Sequence, residues 1–461
     1  MAEIEHNKHV VAINEVERRM SQPITWTVEE EKQLVRKIDI FLMPTIWLMY
    51  LLSYMDRTNI GNAKIAGMAD DLHLTSSQYS VALVVFFVTY VFFEAPSNMI
   101  LVRSRPSVYL PTIMVIWGGL TCCMAAIKTY HHLVVLRIFV GMLEAGFAPG
   151  ILLIISSWYK RTEQSARFAI YISAAILSGA FGGLLAGAIT GGLEGAKGLR
   201  GWRWLFIVEG LATIVWAIVA SFILLDFPAN TIKLTDRERA IAIARLRVSD
   251  IAVKTADSPR PTRTQSLLAA IRDWRTWGFI VGYMVIVGSS TLSYFYPTLV
   301  KGLGYTTDVS AQYMTVPIYG VAFVCTAISG YFCDRIPHHR GLVIASWLTI
   351  SLITSVVVCT VYDFTVRYAM LVIMAAGLWA SNALALSFAS STFGDMEAET
   401  RAVALALVNA MGNLAQIYGS YLFPSNDAPK YLMGFGVISA LLGVGIVTYI
   451  LMNVFVKRTK S

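Results

Sequence analysis

The chain has 461 residues, of which 56% are hydrophobic and only 14% are charged. This composition is typical of a protein that crosses a membrane many times, and it argues against a soluble protein of the same length. The net charge of +8 would also suit a nucleic-acid-binding protein, so the placement of the basic residues has to decide between the two explanations.

Twelve apolar runs are long enough to span a bilayer, and they fall into two groups of six. The first six lie at about 38–57, 79–102, 108–128, 132–158, 167–191 and 203–226. The second six lie at about 275–299, 310–333, 341–361, 367–391, 401–423 and 431–455. The sequence therefore predicts an all-α membrane protein with twelve transmembrane helices in two six-helix halves.

These runs divide the chain into five segments. Two six-helix halves, 38–226 and 275–455, are separated by a polar linker at 227–274, and polar tails lie at 1–37 and 456–461. Most of the 37 lysines and arginines fall in the tails, the linker and every second turn. Because basic segments stay on the cytoplasmic side of a membrane, we expect cytoplasmic termini, a cytoplasmic linker and no binding to nucleic acid.

The linker carries one helix signal and no motif for using ATP. Thr235 and Glu238 form a capping box before the amphipathic run RERAIAIARLRV, which predicts a short amphipathic helix. No glycine-rich phosphate-binding loop occurs, and the five cysteines lie in apolar segments without metal-ligand spacing. We therefore expect no ATP-driven step, no metal site and no cofactor.

Charged side chains occur at two places inside the apolar runs of the first half. In YLLSYMDRTNIGN, Asp56 precedes Arg57, and Tyr54 shares a helical face with Arg57. In LRIFVGMLEAGFAPG, Arg137 and Glu144 are seven residues apart, two turns along one face. A charge inside a bilayer is costly unless it faces a polar cavity or a partner. These side chains therefore predict a charged site within the bundle.

The chemistry of such a site favours anions and protons. A guanidinium can hold a carboxylate through two parallel N–H donors, so an anion is the natural ligand of Arg57. Desolvation favours the protonated form of a buried carboxyl, whereas a nearby arginine favours the ionised form. Glu144, next to Arg137, is subject to both effects and is predicted to exchange a proton near neutral pH.

The second half has no acid or base in the middle of a span and offers neutral polar groups instead. Asn409, Asn413 and Gln416 recur at i, i+4 and i+7, and Trp379 lies one turn from Asn382. We expect the first half to recognise charge, and the second half to contribute shape and hydrogen-bonding selectivity.

The turn after the eighth span reads GYFCDRIPHHRG, with Gly330, Asp334 and Arg335 in a G-x-x-x-D-R spacing. The equivalent turn after the second span, EAPSNMILVRSRPS, has basic residues but no such acid. Two six-helix halves with charged turns at matching places resemble the major facilitator superfamily. That resemblance implies alternating access around a site at mid-membrane between the halves, and a conformational role for the G-x-x-x-D-R turn.

Five motifs are similar to the anion:cation symporter branch of that superfamily. They are YMDRTNIGNAKI, FFEAPSNMILVR, LRIFVGMLEAGFAPG, WRWLFIVEG and NAMGNLAQIYGSYLFPSNDAPKYLMG. The last of these resembles in particular the fungal allantoate permease group, which includes carriers for allantoate, nicotinate, pantothenate and biotin. The resemblance covers about residues 38–455 and implies proton-coupled uptake of a small organic anion.

The resemblance also implies roles for individual residues. Arg57 would bind the substrate carboxylate, Asp56 and Glu144 would carry protons, and Arg137 would tune them. The expected lining of the substrate cavity is Tyr54, Tyr90, Trp379, Asn382, Asn409 and Asn413.

Each charged or polar set also has a structural interpretation. Asp56 and Arg57 could be a pair at a helix end, and Arg137 and Glu144 could brace one helix internally. The polar face of the eleventh span and its neighbouring tryptophan could serve helix packing. Glu209, close to a helix end, is interpreted as structural.

The sequence thus predicts a secondary transporter and not an enzyme. The expected activity is proton-coupled symport of a small organic anion, a monocarboxylate such as a vitamin or a ureido acid. The alternatives are a facilitator or exporter of an acidic metabolite and, from another class, a nutrient sensor that binds an anion without transporting it. We expect a monomer in the plasma membrane, with an organellar membrane as the alternative.

Overall fold

The computed structural model describes residues 26–253, 263–305, 307–336 and 339–460. Within them, twelve helices are long and apolar enough to cross a membrane, which confirms the predicted fold class. The first six spans are Val28–Asp71, Ser76–Leu101, Pro106–Ala126, Tyr130–Trp158, Ala166–Gly192 and Gly201–Ile223. The second six spans are Trp274–Gly302, Asp308–Cys333, Arg340–Thr360, Phe364–Thr392, Thr400–Gly419 and Leu432–Val456.

The two halves repeat one packing pattern. In the first half, the first span packs against the fifth, the second against the fourth and the third against the sixth. In the second half, the seventh packs against the eleventh, the eighth against the tenth and the ninth against the twelfth. Equivalent spans therefore have equivalent neighbours, and the bundle is a repeat of one six-helix unit.

The halves meet through the fifth and eighth spans and through the second and eleventh spans. The fifth span approaches closely because glycines face its partner. A Cβ atom at Gly179 would lie 2.2 Å from the Tyr319 ring, and one at Gly183 would lie 2.3 Å from the Thr315 hydroxyl oxygen. Only glycine allows this contact without displacing a neighbour.

The halves are also hydrogen-bonded to each other at the end of the bundle opposite the termini, which we call the closed end. The Tyr79 hydroxyl donates to the Tyr294 carbonyl oxygen at 3.3 Å. The Ser80 hydroxyl donates to the Ser420 carbonyl oxygen at 2.6 Å. These bonds connect the second span to the seventh and eleventh spans, so the two halves are in contact at this end.

Two spans have irregular backbone near the middle of the bundle. The fourth span consists of the helices Tyr130–Glu144 and Phe147–Trp158, so its helix breaks directly after Glu144, a predicted site residue. Pro149, which has no N–H, cannot donate to the carbonyl of Ala145. The seventh span contains a 3₁₀ segment at Thr291–Phe295. Non-helical backbone at membrane depth is tolerated where it is buried in protein or lines a cavity.

The linker packs on the end of the bundle that carries the termini. The linker contains a helix at Asp236–Val253, in the region of the predicted amphipathic run, and a further helix at Arg263–Arg272 that was not predicted. Arg245 of the first linker helix is 0% exposed and reaches Glu163, at the start of the fifth span, at 3.2 Å. The linker is thus attached to the first half by a partly buried ion pair.

Candidate functional site

A buried ion pair between the first and fourth spans is the centre of the charged site. Arg57 Nε donates to Glu144 Oε1 at 2.5 Å, and the Ser53 hydroxyl donates to the same oxygen at 2.5 Å. Arg57 is 6% exposed and Glu144 is 0% exposed. Ser53 and Arg57 lie one turn apart on the first helix, so both can reach a single acceptor.

Aromatic rings surround the Arg57 guanidinium. Its Cζ atom lies 4.6 Å from the Tyr90 ring centroid, 5.1 Å from Tyr54 and 5.6 Å from Phe86. The negative faces of these rings favour a cation. Tyr54 and Tyr90 were predicted here, whereas Phe86 was not. Arg57 Nη2 and Glu144 Oε2 have no hydrogen-bond partner among the described residues, so the pair retains a donor and an acceptor.

The structural alternative for Arg137 and Glu144, a brace within one helix, is not found, because each residue binds a different neighbouring span. Arg137 Nε donates to the Ala82 carbonyl oxygen on the second span at 3.2 Å, and its Cζ atom lies 4.4 Å from the Phe86 centroid. Glu144 instead turns towards the first span, where Arg57 already binds it. Two helical turns separate the residues by about 10 Å along the axis, so partners on neighbouring spans are closer.

Asp56 lies on a different side of the first helix from Arg57. Trp117 Nε1 on the third span and the Thr213 hydroxyl on the sixth span both donate to Asp56 Oδ2 at 3.1 Å. Successive residues of a helix point about 100° apart, which separates Asp56 from its neighbour in sequence. The four predicted charged side chains therefore do not form a single site.

Trp379 and Asn382 of the tenth span, both predicted to line the substrate cavity, lie beside tyrosines that were not predicted to do so. The Tyr283 hydroxyl donates to Asn382 Oδ1 at 3.4 Å. The Trp379 and Tyr319 ring centroids are 6.4 Å apart, and Trp379 is half-buried. A tyrosine within an apolar span was the available signal for both missed residues.

The polar face of the eleventh span is connected to the seventh span. Gln416 Nε2 donates to Asn413 Oδ1 at 3.3 Å, and the Tyr294 hydroxyl donates to Gln416 Oε1 at 3.4 Å. The Tyr294 ring also lies 5.7 Å from the Phe87 ring of the second span. Asn409, two turns before Gln416, is half-buried. Tyr294 thus contacts both the neutral polar groups of the second half and the second span of the first half.

The structure describes only part of the predicted G-x-x-x-D-R turn. The Arg335 guanidinium lies over the Tyr331 ring, with 4.4 Å between its Cζ atom and the centroid, and it donates to the Tyr331 hydroxyl. Gly330 has open space where a Cβ atom would lie. The side chain of Asp334 lies outside the part of the chain that the structure describes.

Glu209, which the sequence suggested to be a structural acid close to a helix end, lies buried within the sixth span. It is 1% exposed within the sixth span, and neither carboxylate oxygen has a hydrogen-bond partner among the described residues. The available sequence signal was an acid in the apolar run LFIVEGLATIV. In the same described residues, no group of three or more His, Cys, Asp or Glu side chains could hold a metal ion.

Comparisons with known proteins agree with this architecture. The chain is 34% identical to "MFS transporter prlL" of Fungal sp. (strain NRRL 50135), over 95% of this chain and 90% of that protein. It is 29% identical to the "High-affinity nicotinic acid transporter" of Saccharomyces cerevisiae, over 88% of this chain and 74% of that protein.

A solved structure shares the fold. It is a bacterial homologue of the human lysosomal transporter Spinster, in an inward-facing and unoccupied conformation. The TM-score is 0.70 at 16% identity, over 90% of this chain and 96% of the other. The family pattern described as Major Facilitator Superfamily matches residues 46–420. The chain therefore belongs to the Major Facilitator Superfamily of membrane transporters.

Proposed function

We propose that this chain is a symporter that carries a small organic anion together with protons by alternating access. The observation that carries the proposal is the buried Arg57–Glu144 pair, whose two charges come from different spans and whose guanidinium is enclosed by aromatic rings. The anion:cation symporter pattern of the sequence, including its likeness to the allantoate permease group, supports the same activity.

The pair provides a physical basis for coupling. Removal of the anionic partner of a buried guanidinium is strongly destabilising, and in the absence of substrate Glu144 is the partner of Arg57. A substrate carboxylate can take its place if Glu144 accepts a proton, because the site then keeps one positive and one negative charge. Binding of the anion and protonation of Glu144 are thereby linked.

The neutral groups of the second half would select among anions. The Trp379 and Tyr319 rings offer flat apolar faces, and Asn382 and Asn413 offer amide groups to the non-acidic part of a substrate. A small monocarboxylate with a ring or a ureido group fits this chemistry. The name of the yeast relative, a nicotinic acid transporter, supports a vitamin-like acid.

The membrane topology follows from the distribution of basic residues. We infer cytoplasmic termini and a cytoplasmic linker, so the closed end of the bundle would face the opposite side. Uptake across the plasma membrane by a monomer is the arrangement that the resemblance favours. Export or facilitated diffusion of an acidic metabolite is the competing activity.

Thermal unfolding of the purified full-length protein, with a panel of small carboxylates at acidic and at neutral pH, tests anion recognition. One carboxylate is expected to raise the unfolding temperature more strongly at acidic pH. Arg57→Ala should abolish this shift, whereas Arg237→Ala, which removes an exposed arginine of the linker helix, should retain it. A shift that survives in Arg57→Ala, or no shift with any anion, would contradict the proposal.

Uptake by proteoliposomes with Glu144→Gln separates coupling from simple diffusion. A symporter should lose net acid-stimulated uptake while retaining exchange of anion for anion, because the neutral glutamine cannot release a proton. A facilitator should retain net transport. Binding without any uptake by the wild-type protein would instead indicate a sensor.

A further inference from the structure

The first and sixth spans share a set of polar side chains that the Arg57–Glu144 pair does not use. Thr213 on the sixth span donates to Asp56 on the first at 3.1 Å. Asn59 lies one turn after Asp56 on the first helix, and Glu209 lies one turn before Thr213 on the sixth. The Asn59 side chain lies next to the Glu209 carboxylate. The four residues thus form two neighbouring rungs between one pair of packed helices.

The second rung is fully buried and lacks normal hydrogen bonds. Asn59 and Glu209 are each 1% exposed. Five polar atoms here have no hydrogen-bond partner among the described residues. They are both carboxylate oxygens of Glu209, both polar side-chain atoms of Asn59, and Asp56 Oδ1. Buried polar groups in this condition are costly, and a bound proton is the smallest ligand that can supply the missing donor.

The charges around the rungs do not neutralise Glu209. Asp56 and Glu209 are close enough to repel each other. Cys122 of the third span faces Asp56, while Arg137 and Glu144 act on Asp56 from the fourth span. No cation forms an ion pair with Glu209 in the described part of the chain. Two carboxylates in a dry environment cannot both be ionised at low cost.

The hydrogen bonds distinguish the two acids, because Asp56 has donors and Glu209 has none among the described residues. Asp56 accepts from Trp117 and Thr213, and donors of this kind favour the ionised form of a carboxyl. We propose that Glu209 binds one proton and, with Asn59 as acceptor of its O–H group, forms a proton site separate from the Arg57–Glu144 site. The proton binds to and leaves a carboxylate oxygen of Glu209.

A role of this site in transport rests on the proposed function. Glu144 would carry one proton per cycle at the anion site, and Glu209 would carry a second between the first and sixth spans. In proteoliposomes, Glu209→Gln is then expected to lower the ratio of protons to anions by one, with anion binding retained. An unchanged ratio would overturn the coupling role.

Infrared spectroscopy of the purified full-length protein tests the proton site without reference to transport. At neutral pH, the wild-type protein should show the carbonyl-stretch band of a protonated carboxylic acid in dry surroundings. Glu209→Gln should weaken this band, whereas Glu144→Gln should leave its intensity unchanged, because Glu144 is ionised in its pair. A band of undiminished intensity in Glu209→Gln would overturn the site, even if acid-stimulated anion uptake is observed.

Two further measurements keep the outcome decisive. Asn59→Ala removes the acceptor and should shift the frequency of the band, which provides a test if Glu209→Gln does not fold. An unshifted band would contradict the role of Asn59. Sodium chloride at constant pH should not change the wild-type band. Its loss on addition of Na⁺, compared with choline chloride, would show a metal-cation site and overturn the proton site.

Discussion

The two halves have the same helix packing but different buried chemistry. The first half buries Arg57, Arg137, Glu144 and Asp56, while the middle of the second half holds tyrosines and carboxamides joined by neutral hydrogen bonds. A charge in a low-dielectric interior requires a partner or a ligand, whereas neutral groups can exchange partners at lower cost. Repetition of a fold thus constrains helix neighbours and leaves each half free to take a separate part in recognition.

The largest expected effect is the removal of the central cation. Arg57→Ala leaves Glu144 buried without its partner, and such losses cost about 3–5 kcal/mol in the free energy of unfolding. Anion binding should weaken by roughly 30-fold or more, since truncating one partner of a buried charge pair costs at least about 2 kcal/mol. Chemical denaturation and equilibrium binding measure the two quantities.

A double substitution distinguishes the charge from the packing. Arg57→Met combined with Glu144→Gln leaves no ion unpaired, so most of the lost stability should return while anion binding stays absent. If the double variant is as unstable as Arg57→Ala, the stability comes from contacts of the Arg57 side chain with the rings and not from its pairing with Glu144.

The next effect concerns the surface where the halves meet. Gly179→Ala would place a Cβ atom 2.2 Å from the Tyr319 ring, whereas a Cβ atom at Gly182 would lie 3.9 Å from Met55. Overpacking of this kind typically costs about 1–3 kcal/mol. Gly179→Ala should therefore depopulate the arrangement with the closed end sealed, as measured by spin-label distances across that end. Gly182→Ala, the matched control, should leave the distances unchanged.

A smaller effect is expected from the neutral groups. Asn382→Ala removes a single hydrogen-bond partner of Tyr283, which is typically worth about 0.5–1.5 kcal/mol. Affinity should fall by roughly 10-fold or less, and unequally among carboxylates, because the amide would contact the variable part of the substrate. Competition binding with a carboxylate series measures this. A uniform loss across the series would indicate that the second half does not select.

The contrast between the halves was largely predictable, but the pairing within the first half was not. Long apolar runs determine where spans occur, and an acid or base inside such a run is visible in the sequence. The partner of Glu144 depends on the rotation of the first helix relative to the fourth, which the sequence does not show, so the Arg57–Glu144 pair was not predicted. The burial of Glu209 was not predicted either, because it depends on which neighbouring helices cover this side chain.

The smallest effect is predicted outside the membrane spans, where the linker helix meets the first half. Burial alone would raise the pKa of Glu238, but Lys37 and the Thr235 backbone N–H and hydroxyl group outweigh it and hold that pKa below its usual value. A carboxyl with a lowered folded-state pKa stabilises the fold above its unfolded pKa, and this contribution is lost as the pH falls through the folded value.

Because both partners are partly exposed, the contact should be worth only about 0.2–1 kcal/mol. Glu238→Gln should therefore lower the unfolding temperature slightly at neutral pH and have no effect under acidic conditions, where the wild-type carboxyl is protonated as well. Thermal unfolding across this pH range measures the difference, and Asp236→Asn, which changes a nearly fully exposed acid, is the matched control. An equal effect of Glu238→Gln at all pH values would mean that the Lys37–Glu238 pair does not fasten the linker through its charge.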